Sequence, residues 1–88
     1  MNMNKGSLLL VDDDRYVLAS MSDWLREQGY GVVEATNCRE AVEQIERQKL
    51  DLVLTDVRLP DGDGFDILAY CNENHPGLTV ILLTGYGT

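Results

Sequence analysis

With 88 residues carrying 15 acidic against 7 basic side chains, a formal net charge of -8, the chain has room for one modest core and none for a second domain. That acid excess argues against a nucleic-acid surface and favours a cation or a basic partner, although most surface carboxylates need no role beyond solubility. No apolar run approaches bilayer-spanning length, and Met1 to Gly6 lacks the apolar core of a secretory signal, so a soluble cytoplasmic protein is expected.

After the polar start, Leu8, Leu9, Leu10 and Val11 read as a buried strand that ends abruptly in Asp12, Asp13 and Asp14. Like charges so close repel, and without a counter-ion some of these carboxyl pKa values should rise, so a bound cation is the natural resolution. Asp14 has a local explanation, because an N-cap carboxylate accepts hydrogen bonds from first-turn amides. From Arg15 to Gln28 the apolar positions Val17, Leu18, Met21, Trp24 and Leu25 fall on one helical stripe, which assigns Trp24 to the core, and Gly29 is the stop signal. Gly31 to Ala35, with Val32 and Val33, reads as a second short strand. Asn37 then opens another helix, with Glu40 at capping-box spacing and Cys38, Ala41, Val42 and Ile45 on the buried face.

Leu50, Leu52, Val53, Leu54 and Thr55 form an apolar run expected of a parallel strand covered on both faces, and it delivers Asp56 to a turn-rich loop. Pro60 blocks continuation of strand or helix, and Gly62 and Gly64 permit a tight reversal. Asp63 can cap a third helix over about Gly64 to Asn74, with Phe65, Ile67, Leu68 and Cys71 supplying most of its apolar contact. Pro76 and Gly77 end it, and His75 beside that break reads as a turn residue rather than a base or ligand. Leu78 to Leu83 is the fourth strand, with Thr84 at its end and Gly85 to Thr88 as loop. Cys38 and Cys71 lack metal-ligand spacing and are expected as reduced, buried thiols.

Four strands alternating with three helices predict an α/β fold, a doubly wound, mainly parallel sheet with right-handed crossovers. If the first and third strands are neighbours, with the second outside the first, the crossover direction changes between them and leaves a crevice at their carboxyl ends. Asp12, Asp13, Asp56 and Thr84 would line it. Carboxylates and strand-end carbonyls are hard oxygen ligands, which suit Mg2+ with several retained waters better than zinc. A divalent ion there offsets repulsion between a carboxylate nucleophile and a phosphoryl group, so Asp56 could carry an acyl phosphate, with the Thr84 hydroxyl donating to a phosphoryl oxygen. Taken alone, Thr84 is equally a β-branched residue at a strand end.

Three stretches, LLLVDDD at Leu8 to Asp14, LVLTDVRLPDGDGFDIL at Leu52 to Leu68 and VILLTGYGT at Val80 to Thr88, resemble the receiver domains of two-component response regulators in order and spacing, over nearly the whole chain. The resemblance implies a flavodoxin-like fold in which Asp56 is the phosphoacceptor and Mg2+ is held by Asp12, Asp13, Asp56 and the main-chain carbonyl of Arg58. Asp13 would coordinate directly and Asp12 more through water. Thr84 would be the switch hydroxyl, and the Gly85 amide would help to hold the phosphoryl group. It further implies a histidine kinase or phosphotransfer protein as donor, an output domain in a longer parent, and no enzymatic activity beyond phosphorylation and dephosphorylation of Asp56 itself. The TGYGT ending resembles receivers of the nitrogen-regulator type.

A complete receiver continues through another helix, a fifth strand and a fifth helix, whereas this sequence stops at Thr88. Residues 1–88 are therefore expected to be the N-terminal part of a receiver, without the fifth-strand lysine that pairs with the phosphoryl group and without the aromatic switch residue. An unpaired fourth-strand edge and an uncovered helix-packing face then predict self-association. Two rival functions are a receiver-like interaction scaffold that never takes phosphate and a haloacid-dehalogenase-like phosphohydrolase. The second needs a DxDxT pattern, and Asp56, Val57, Arg58, Leu59 and Pro60 supply no second acid. An EF-hand calcium loop fits worse, since Asp61, Asp63 and Asp66 have the wrong spacing and no closing glutamate.

Overall fold

In a computed structural model that describes residues 5–83, strands and helices alternate as β1 (Ser7–Val11), α1 (Arg15–Glu27), β2 (Gly31–Ala35), α2 (Cys38–Arg47) and β3 (Leu52–Asp56). A small hairpin, β4 (Arg58–Leu59) with β5 (Gly62–Asp63), then leads into α3 (Gly64–Asn74) and β6 (Thr79–Leu83). The main sheet has the order β2-β1-β3-β6, parallel throughout. The chain thus moves outward from β1 to β2 and crosses back over β1 to β3. That reversal is the expected switch point, and it opens a crevice between the carboxyl ends of β1 and β3.

Each helix starts where a short polar side chain meets free amides. Asp14 accepts from the Tyr16 and Val17 amides at 3.0 and 3.2 Å. Asp63 and Asp66 form a reciprocal capping box, each bond 3.0 Å long. Asn37 accepts from the Glu40 amide at 2.8 Å, but the Glu40 carboxylate reaches one residue further back than the sequence pattern suggests. It takes both the amide and the hydroxyl of Thr36, each at 2.8 Å. Gly29 ends α1 in the left-handed region, φ 101°, which a side chain would resist.

Two apolar layers hold the sheet. On one face Leu9, Val11 and Val53 pack with Ala41 and Ile45 of α2 and Ile67 and Cys71 of α3, all buried. On the other, Leu8 and Leu10 pack with Leu18 of α1. A fully buried Leu, Ile or Val contributes about 1.5–3 kcal/mol, so these layers dominate the stability.

The α1 face departs from the sequence reading. Leu52 and Leu54 are half-buried, not enclosed on both sides, because α1 lies over β1 and β2 and leaves β3 and β6 partly bare. Ile81, which pairs with Leu54, is 43% exposed. Trp24 is 60% exposed rather than in the core, since the buried line of α1 runs through Leu18 and Ser22 and Trp24 falls to its side. Phe65 is 56% exposed; Ile67 and Cys71, one helical turn apart, carry the α3 contact instead. Cys71 is buried as expected and Cys38 only half-buried, and both are free thiols. Among the described residues no helix is long and apolar enough to cross a membrane.

Candidate functional site

The register of the sheet assembles the site. Val11 pairs with Thr55, so Asp12 leaves β1 beside Asp56 at the end of β3. Carboxylate oxygens of Asp12, Asp13 and Asp56 all lie within 4.8 Å of one another. The Asp12 amide is anchored on the Ala35 carbonyl at 3.1 Å, and its carboxylate accepts from the Asp14 amide at 2.9 Å. Asp56 accepts from the Val57 amide at 2.8 Å, which orients one of its oxygens. Among the described residues no lysine, arginine or histidine forms an ion pair with any of these three acids.

Electrostatics registers the strain. Burial holds the Asp12 carboxyl above its ordinary value of 3.8, and the charges of Asp56, Asp13 and Asp14 push the same way, against the Asp14 amide hydrogen bond. The donor set is three hard carboxylates, which fits Mg2+ on chemical grounds.

The loop after Asp56 is tightly held. The Gly64 amide donates to the Val57 carbonyl at 2.7 Å, drawing the start of α3 against the end of β3. A Cβ at Gly64 would sit 2.7 Å from the Asp56 carbonyl oxygen and 2.5 Å from Leu82, so this approach requires glycine. Arg58 opens the β4–β5 hairpin, paired with Asp63, and its side chain is exposed. Leu83 pairs with Asp56, while Thr84 and Gly85 lie outside the described residues.

Two arrangements had no signal in the sequence pattern. Asp61, in the hairpin turn, accepts from the Cys38 and Arg39 amides at 2.7 and 3.0 Å, partners more than twenty positions away. At the opposite edge of the sheet, Glu46 of α2 accepts from the Tyr70 hydroxyl and contacts His75 Nε2 at 2.7 Å. His75 is thus a turn residue, as expected, with a carboxylate partner that local sequence does not reveal. Next to it a groove of about 420 Å³ opens between the end of α2 and the α3–β6 turn.

The response regulator receiver domain family matches residues 8–88. The chain belongs to that family. It is therefore a receiver domain of two-component signalling, a signalling module rather than a classical enzyme, and phosphorylation on aspartate is the general property of its family. Among its relatives is the transcriptional regulatory protein GlrR of Escherichia coli, 38% identical over 88 residues; the alignment covers 100% of this chain and 20% of GlrR. The response regulator TrrA of Thermotoga maritima, solved in complex with Mg(2+)-BeF, is similar with a TM-score of 0.87 and 28% identity, over 99% of this chain and 72% of that one. The beryllofluoride-activated NtrC4 receiver domain dimer gives a TM-score of 0.85 and 36% identity, over 93% and 68%.

Proposed function

We propose that Asp56 accepts a phosphoryl group from the phosphohistidine of a histidine kinase or phosphotransfer protein, in a magnesium-dependent step that switches an output domain of a longer parent. The observation that carries this is the gathering of Asp12, Asp13 and Asp56 within 4.8 Å beside the end of β3. An Asp56 oxygen attacks phosphorus; the new O–P bond forms as the P–N bond breaks, and the leaving imidazole nitrogen keeps the electron pair and takes up a proton. The Val57 amide holds the other Asp56 oxygen aside during the attack. A magnesium ion bound by Asp12, Asp13, Asp56 and the Arg58 main-chain carbonyl would offset the negative charge that the phosphoryl group brings. Thr84 then acts as the switch hydroxyl and the Gly85 amide helps to hold the phosphoryl oxygens. The Mg(2+)-BeF complex of TrrA and the transcriptional role in the name of GlrR support the metal and the output respectively.

Self-association belongs to the same proposal. Among the described residues β6 pairs only with β3, and Ile81 lies exposed near the half-buried Leu52 and Leu54, an apolar strip beside that strand's other edge. Light scattering at micromolar concentration should report a dimer or larger species; a stable monomer would contradict it.

Intact mass after incubation with phosphoramidate tests the phosphoacceptor. One phosphoryl adduct is expected, dependent on magnesium and absent from Asp56→Asn. No adduct on the wild-type chain, or an adduct retained by Asp56→Asn, would overturn it, the first outcome pointing to a non-receiving scaffold.

A further inference from the structure

The β4–β5 hairpin, which carries Arg58, is tied to the rest of the molecule on two sides. Toward the sheet, the Gly64 amide holds the Val57 carbonyl. Toward α2 the tie is Asp61, whose two carboxylate oxygens accept separately from the Cys38 and Arg39 amides at 2.7 and 3.0 Å. A helix of this kind leaves its first amides without intrahelical partners, and Asn37 already serves the Glu40 amide, so Asp61 satisfies the two that remain in front of it. These two bonds hold the Asp61 carboxyl below its ordinary value of 3.8. Cys38 adds a third strut, its thiol reaching the Asp63 carbonyl at 3.5 Å. α2 is in turn fixed to the sheet through Ala41 and Ile45, which pack with Leu9, Val11 and Ala35. A continuous set of contacts therefore runs from the core under β1 to the hairpin.

We infer that Asp61 is a positioning residue for the cation site: it clamps the hairpin to the N-terminus of α2 and so fixes the Arg58 main-chain carbonyl relative to Asp12, Asp13 and Asp56. The inference rests on the proposed role of that carbonyl as a cation ligand. Asp61 itself touches no ion. Without the clamp the hairpin samples positions in which the carbonyl is misplaced, and apparent affinity falls in proportion to the competent fraction.

The test is a magnesium titration of the apo chain followed by amide NMR shifts around Asp12, Asp13 and Asp56, on wild type, Asp61→Ala, Asp61→Asn and Asn37→Ala. If the clamp keeps most molecules competent, Asp61→Ala should weaken magnesium binding about three- to ten-fold. Asp61→Asn, which keeps one acceptor oxygen, should fall between, and it decides the matter should the alanine variant not fold. Asn37→Ala removes the α2 cap without touching the hairpin; it should lower the melting temperature and leave magnesium affinity at the wild-type value. Wild-type affinity in both Asp61 variants would overturn the clamp, and so would an equal weakening by Asn37→Ala, which would assign the effect to general fraying of α2. A wild-type chain with no saturable shift at the three aspartates would overturn the cation site itself, a distinct outcome that removes the clamp's purpose with it.

Discussion

Two sets of acids in this chain differ in what faces them. Asp14, Asp61 and Asp63 accept backbone amides at helix starts, Glu40 takes the amide and hydroxyl of Thr36 just before its own helix, and Glu46 meets the Tyr70 hydroxyl and His75. Asp12, Asp13 and Asp56, at the ends of β1 and β3, mostly face one another. In the first group a negative charge replaces missing hydrogen bonds and meets the positive end of a helix or a nearby donor. In the second, charges are brought together by the register of the sheet, and no cation among the described residues pairs with them. Folding tolerates the first arrangement for its own benefit. The second costs stability in the apo chain, and it makes physical sense as a site completed by an ion.

The largest effect should come from moving the two elements that meet at Asp56. Gly64→Ala drives a Cβ into the Asp56 carbonyl and Leu82, and should destabilise by about 1–3 kcal/mol in urea unfolding. Opposite signs within the two groups come next. Asp63→Ala removes a capping box and should cost about 1 kcal/mol, whereas Asp12→Asn should raise the melting temperature of the apo chain at neutral pH, because it relieves repulsion. Equal losses from both substitutions would erase the distinction.

Acidification sharpens it further. Glu40 is held below its ordinary 4.5 chiefly by the Thr36 amide and hydroxyl, so its contribution is present above 4.5 and is lost as pH falls through the lower folded value. Asp12 behaves inversely. Its folded value lies above 3.8, the folded state binds the extra proton between the two values, and stability falls as pH rises across that window. Urea midpoints in EDTA from neutral to acid pH should therefore keep the Glu40 loss in Asp12→Asn and keep the Asp12 gain in Glu40→Gln. The smallest effect is expected at the far edge, where the Glu46, Tyr70 and His75 side chains meet at the surface and Glu46→Gln should shift the melting temperature only slightly.

Much of this was legible in local spacing. Asp14, Asn37 and Asp63 stand immediately before their helices, where a cap has one place to act, and all three do so. The strands ending at Val11 and Asp56 announce themselves by apolar runs that stop at acids, which is how the sequence led to Asp12, Asp13 and Asp56. Trp24 and Phe65 misled because helical periodicity reports a stripe and not what lies beneath it; α1 does not extend over β3 and β6, and its buried residues are Leu18 and Ser22. Asp61 was unreadable as a clamp, since its partners Cys38 and Arg39 are adjacent only after β3 has been laid beside β1.

The most direct measurement is the melting temperature at neutral pH in rising magnesium, for wild type beside Asp13→Asn. Binding to the folded state adds about 1.4 kcal/mol when magnesium reaches ten times its dissociation constant. If the three strand-end acids form a cation site, the wild-type melting temperature climbs with magnesium while that of Asp13→Asn starts higher and climbs far less. A flat wild-type curve, or two curves that climb in parallel, would contradict it.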